Sequence, residues 1–199
     1  MTHTLNREGW LTEVAKLVEP VILDTGIVDD LPGYRVACGF PSKHATARSR
    51  RRVGECWRGE ASTDGRFEVF VSPLIADPVE VAGILVHELA HVADRNENGH
   101  KGRFVRLARA LALEGKPTAT TVGDRFRDMF RETIEAVGDY PHAAMVVAAN
   151  QKKQSTRLLK VECLDCLNEG DPYIVRMSRT AIEKGLPICP LHGLPMEAV

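Results

Sequence analysis

The sequence predicts an α+β fold: a small antiparallel or mixed sheet backed by helices over residues 1–145, a linker over 146–160 and a small β module over 161–199. Three observations lead there. Apolar residues recur at helical spacing through the first two thirds of the chain and alternate with short β-branched or aromatic runs. One of those helices carries His87-Glu88-Leu89-Ala90-His91. Two close pairs of soft ligands, Cys163 with Cys166 and Cys189 with His192, bracket the C-terminal segment. A chain of 199 residues with 44% hydrophobic content suffices for one good core plus a small satellite.

Trp10, Val14, Leu17, Val18 and Val21 mark an amphipathic first helix. Strands then fit Tyr34–Phe40, Val53–Trp57 and Phe67–Val71, bounded by glycine, proline and serine. Asp77-Pro78-Val79-Glu80 is a helix start, with Asp77 as N-cap, Pro78 in the first turn and Glu80 at the capping-box position. Val81, Ile84, Leu85, Leu89 and Val92 continue it, so a helix is expected over 78–94. The polar run up to Gly99 reads as a stop and a turn. A second helix is expected to start at His100, carry Phe104, Leu107, Ala108 and Leu111, and close at Gly115. A third spans Val122–Val137 with Phe126, Phe130 and Ile134 on its packed face, ended by Tyr140-Pro141-His142.

The chemistry lies in the helix over 78–94. Positions i and i+4 sit only about 40° apart around a helix, so His87 and His91 can reach one metal ion. Glu88, about 100° round, is placed to hold a water beside that ion without ligating it. This is the division of labour that metal-assisted peptide hydrolysis needs. A catalytic zinc needs a third protein ligand. His100, nine residues beyond His91, is the first candidate, with Asp94 and Glu97 as competitors.

The C-terminal pairs Cys163-x2-Cys166 and Cys189-x2-His192 are 22 residues apart, close to the spacing of four-ligand structural zinc sites. Between them Tyr173–Met177 reads as a strand and Arg179–Lys184 as a short turn or helix. So short a segment, with few large apolar side chains, cannot bury enough surface to fold unaided, and a metal staple is expected.

The His-Glu-Leu-Ala-His run, the short polar loop, and Gly99-His100 with Phe104 four residues on resemble the SprT-like metallopeptidases, which include the Spartan proteases that act on proteins crosslinked to DNA. The similarity extends through Phe67–Pro73 to a C-terminal zinc ribbon, covers about residues 35–195, and looks nearest to small phage and actinobacterial members. It implies a zincin-like minimal metallopeptidase domain with His87, His91 and His100 on a catalytic zinc, Glu88 as general base and acid, and a second, structural zinc in the ribbon. It also implies an endopeptidase acting on protein substrates that are bound or crosslinked to DNA. Lys101 departs from the family pattern, which often has a second glycine after the histidine. A second reading is a nucleic-acid-binding adaptor with structural zinc sites and no turnover. A third is a hydrolase of non-peptide amides.

The net charge of −1 argues against a strongly polyanion-coated protein, but basic residues are clustered. Lys43, Arg48, Arg50, Arg51, Arg52 and Arg58 face one Glu55 in the stretch 43–58, and Lys152, Lys153, Arg157 and Lys160 crowd the linker. Such runs either track a phosphate backbone or, as is commoner, form a solvated loop; the resemblance adds weight to the first. Asn6, Arg7, Glu8 and Glu13 interrupt the first helix, so no secretory leader is expected and the location is expected to be cytoplasmic. Cys38 and Cys56 are then expected to be ordinary reduced thiols, with a disulfide between them as the alternative, and no apolar run suffices for a membrane crossing. Tyr140 and His142 are minor candidates for stabilising an oxyanion, with turn roles as the plainer expectation.

Overall fold

The computed structural model describes residues 5–47, 49, 51–147 and 158–199, and the chain divides into two compact units, Met1–Ala149 and Asn150–Val199. The first contains helix α1 (Arg7–Asp24), strands β1 (Tyr34–Cys38) and β2 (Gly54–Trp57), a 3-10 turn at Gly59–Ala61, and β3 (Phe67–Val71). Helices α2 (Pro78–Ala93) and α3 (Gly102–Ala110), strands β4 (Leu113–Lys116) and β5 (Ala119–Val122), and helix α4 (Asp124–Val137) complete it.

The sheet is mixed, in the order β1-β3-β2. β3 pairs parallel with β1, in the register Tyr34 to Phe67, and antiparallel with β2, in the register Gly54 to Val71. Phe67, Val69 and Val71 alternate inward from β3 and are buried, the period-two pattern of a strand with one covered face. Over that face lies α2, in contact with α1, α3 and α4 as well as with β2, β3 and β5. Its Val81, Leu85, Val86, Leu89 and Val92 are all fully buried, so α2 is a central helix and not a surface one. Asp77 caps it by accepting a hydrogen bond from the Glu80 N–H at 2.9 Å, as the sequence predicts.

Several boundaries differ from the sequence-based expectation, each for a local reason. The second helix begins at Gly102, not His100, because Gly102 has a left-handed φ of 49° that separates the histidine from the helical run. It ends at Ala110, not Gly115: Ala112 turns left-handed at φ 59° and sends the chain into β4. Val122 belongs to β5, and α4 starts only at Asp124. The result is an antiparallel β4–β5 hairpin where helix ends were expected.

In the second unit, β6 (Leu159–Glu162), α5 (Leu164–Asn168), β7 (Ile174–Met177), α6 (Arg179–Lys184) and β8 (Glu197–Ala198) follow in order, with a sheet ordered β7-β6-β8. β6 begins inside the stretch expected to be linker. Among the described residues, the buried core of this unit is Val161, Cys163, Cys166, Cys189 and Met196. No helix among the described residues is long and apolar enough to cross a membrane.

Candidate metal centres

α2 carries His87, Glu88 and His91 on adjoining turns, and the loop after it returns His100 to meet them. That return is built by the helix terminus. The Asn96 N–H donates to His91 O at 2.7 Å and the Arg95 N–H to Val92 O at 2.9 Å, the paired bonds of a Schellman ending. Arg95 and Asn96 both adopt left-handed backbone there, with φ of 55° and 52°, although neither is glycine. Asn96 is anchored in turn by its amide, which donates to the Cys56 carbonyl at 3.1 Å.

Asp94, a competing ligand in the sequence, serves as the clasp of this loop. It is fully buried and accepts from the Asn98 N–H at 2.9 Å, the Asn98 side-chain amide at 2.7 Å and Arg103 Nε at 3.1 Å. Glu97 is largely exposed and pairs with Arg103 at 2.9 Å. Neither carboxylate belongs to the group of histidines whose ligand atoms all lie within 4.8 Å of one another: His87, His91 and His100.

The three imidazoles meet through their Nε2 atoms. His100 Nε2 lies 3.3 Å from His87 Nε2 and 3.2 Å from His91 Nε2. Phe104, fully buried on α3, forms the floor: its ring stacks on His91 at 4.1 Å between centroids and meets His87 edge-on at 5.0 Å. Burial keeps these rings neutral. It pulls the His87 pKa down to about 4 and that of His91 down to about 2, with neighbouring imidazoles adding to the effect, and it also lowers His100, where Arg52 contributes. Neutral imidazole is the form that ligates metal.

Glu88 is buried beside them, and burial lifts its pKa to about 8, eased by the Arg52 cation and reinforced by Glu55. Gly54 of β2 makes room for this carboxylate. The group opens on a cleft of about 890 Å³, lined by β2, α2 and the β4–β5 hairpin, with Arg51 and Arg52 on its wall.

Two residues that join α2 to the hairpin were missed in the sequence. Thr120 Oγ1 lies 2.8 Å from His87 Nδ1. Gly83 lets α2 and β5 close up, since a Cβ there would lie 2.2 Å from Val122 Cγ1. The turn residues Gly115 and Pro117 and the β-branched run Thr120-Thr121-Val122 were the available signal for a hairpin. Tyr140 packs on Trp10 with ring centroids 5.0 Å apart, and the His142 ring nitrogen Nε2 lies 2.8 Å from Pro73 O; neither lines the cleft. Cys38 and Cys56 are free thiols on β1 and β2, which β3 separates, so they cannot pair with each other across the sheet. Of the basic residues, Lys43, Arg51 and Arg52 are exposed, and Arg52 pairs with Glu55 at 2.5 Å. Arg48, Arg50, Lys152, Lys153 and Arg157 lie outside the described residues.

The second unit gathers Cys163, Cys166, Cys189 and His192 into another group able to hold a metal ion. Cys166 Sγ is 3.7 Å from Cys189 Sγ and 3.3 Å from His192 Nδ1, and Cys163 Sγ is 3.5 Å from the same nitrogen. His192 thus points Nδ1 inward, while its Nε2 lies 3.3 Å from Glu169 Oε1. Comparison of the chain with protein-family models, with characterised proteins and with solved structures finds no match.

Proposed function

We propose that this chain is a zinc-dependent endopeptidase of the kind the SprT-like resemblance implies, with His87, His91 and His100 holding the ion and Glu88 carrying the proton. The observation behind this reading is the convergence of three Nε2 atoms beside a buried carboxylate. A tetrahedral site with zinc–nitrogen bonds of about 2.0–2.1 Å spaces its nitrogens about 3.3–3.4 Å apart. The separations of 3.3 and 3.2 Å fit that edge. Three protein donors leave one coordination position open, the mark of a catalytic and not a structural site.

Bound there, the ion supplies Lewis acidity toward a carbonyl oxygen and toward water. Glu88 takes the proton from the attacking water and delivers it to the leaving amine. Without the ion, burial lifts the Glu88 carboxyl to about 8, and a bound dication would draw it back down, leaving a base that is ionised at neutrality and returns the proton it takes. The centre opens on the cleft, and proteins held on DNA are the proposed substrates, with Lys43, Arg51 and Arg52 meeting the phosphate backbone.

The second unit is proposed to be a zinc ribbon. Zinc–sulfur bonds of about 2.3 Å set sulfur atoms about 3.8 Å apart and sulfur and nitrogen about 3.6 Å apart. The separations of 3.7, 3.5 and 3.3 Å are close to those edges. With four protein donors the site is closed and structural.

Metal analysis and a cleavage assay on a DNA-bound protein test the reading together. About two zinc per chain are expected, falling by about one in Glu88-intact His87→Ala and again by about one in Cys163→Ala. Glu88→Ala should keep both ions and lose cleavage. Full proteolysis by Glu88→Ala would remove the proposed base, and salt-sensitive DNA binding without cleavage by the unaltered chain would favour the adaptor.

A further inference from the structure

For three imidazoles to share one ion through Nε2, each must keep its single ring proton on Nδ1. The structure treats the two ligands on α2 differently in this respect. His91 Nδ1 is buried with no hydrogen-bond partner, and its ring is held by stacking on Phe104. His87 Nδ1 lies 2.8 Å from Thr120 Oγ1.

The hydroxyl does not arrive there on a loose loop. Thr120 sits in β5, in register with Gly115 of β4. Two residues further on, Val122 fills the space beside Gly83 so closely that a Cβ on the glycine would be 2.2 Å from Val122 Cγ1. Gly83 is one helical turn before His87, so the contact that locks hairpin to helix and the contact that reaches the ligand lie side by side. A hairpin outside the ligand helix, seated on it through Val122, thereby sets the position of one oxygen.

We propose that Thr120 is a positioning residue for the histidine centre: its hydroxyl accepts the Nδ1–H of His87, fixing the tautomer and the ring plane, and makes the β4–β5 hairpin part of the metal site. The proposal rests on the reading of His87, His91 and His100 as metal ligands. Its physical basis is general. A ligating imidazole whose other nitrogen has a partner is a better-oriented and more basic ligand, and loss of such a partner weakens metal binding about 10- to 100-fold.

The experiment is a titration of the metal-free full-length chain with cobalt(II), which gives weak visible bands at an all-histidine site and intense thiolate charge-transfer bands at the cysteine site. Each centre is thus read separately. Thr120→Val, nearly isosteric, should weaken cobalt at the histidine centre about 10- to 100-fold and leave the thiolate bands unchanged. Thr120→Ser, which keeps the hydroxyl, should restore the affinity. Thr120→Ala serves in place of valine if circular dichroism shows the valine chain unfolded. Equal cobalt affinity in the valine or alanine variant and the unaltered chain overturns the role of Thr120 while leaving the metal centre standing. If instead the unaltered chain shows no visible bands lost in His87→Ala, both the centre and this role are overturned.

Discussion

Gly54 stands against Glu88 so closely that a side chain would collide with it: a Cβ would lie 2.4 Å from Glu88 Oε1 and 2.8 Å from Ile84 Cγ2. The strand is therefore fitted to the acid on the neighbouring helix. Gly54→Ala must displace the carboxylate or lift β2 away. Turnover should fall about 100-fold, the scale of a misplacement of about 1 Å, with about 1–3 kcal/mol lost in stability. Metal content should not change. Steady-state kinetics with urea denaturation and metal analysis measure all three, and unaltered turnover would mean that Glu88 is not the working base.

In metal-free protein the buried ionisable groups make opposite contributions to stability across pH. For His87 and His91 the folded pKa is depressed, so the unfolded chain binds more protons at low pH. Their stabilising effect is present above about pH 6.5 and lost as pH falls toward 4. Glu88 has a raised folded pKa, so its protonated form favours the fold at low pH and stability declines as pH rises from about 4.5 through 8. Between pH 6.5 and 8 the Glu88 contribution falls by about 1–2 kcal/mol, so the unaltered metal-free chain should lose that much relative to Glu88→Gln. Glu88→Gln should abolish that decline. Urea midpoints at the two pH values compare the chains, and an equal slope in both would contradict the assignment.

Asp94 has its two oxygens and its backbone carbonyl engaged by Asn98 and Arg103. Asp94→Ala removes the buried carboxylate that takes the Asn98 N–H, the Asn98 amide and Arg103 Nε, and keeps only the backbone carbonyl. The expected cost is about 3 kcal/mol, at the low end for a broken buried pair because Arg103 is partly exposed. The histidine centre should also bind metal more weakly, since His100 rides on this loop. Thermal melts and cobalt titration check both effects, and undisturbed metal affinity would show that His100 is positioned by something else.

For the second unit, the small core makes the four donors the main source of order. Cys166→Ala in the full chain should lose the slow amides of residues 159–198 while those of α2 keep their protection. Hydrogen exchange read by mass spectrometry separates the two. Persistent protection around β6 and β7 would show that this unit folds without its metal.

The central helix was readable from residues alone because its cap, its apolar spacing and its paired histidines all agree, and Asp77, Leu85 and His91 sit where each signal put them. The three strands of the mixed sheet were also visible, the middle one least, since Gly54-Glu55-Cys56-Trp57 holds no β-branched residue. Their order was not: nothing local to Tyr34 or Phe67 states that β3 inserts between β1 and β2, because pairing is decided by tertiary packing. The competition among Asp94, Glu97 and His100 was likewise beyond reach. It is settled by left-handed turns at Arg95 and Asn96, conformations that their side chains do not advertise. The hairpin was missed because Gly115 and Val122 also suit a helix end and a helix start, and a short strand has too little periodicity to overrule that reading.

Since α2 touches every other helix of the first unit, along with strands β2, β3 and β5, it cannot fray by itself. Parting His87 from His91 would require the whole unit to come apart, so the distance between them should breathe no more than the core does. Heat or denaturant should then abolish activity in the same transition that exposes Trp10, with no earlier loss of function in a still-folded chain.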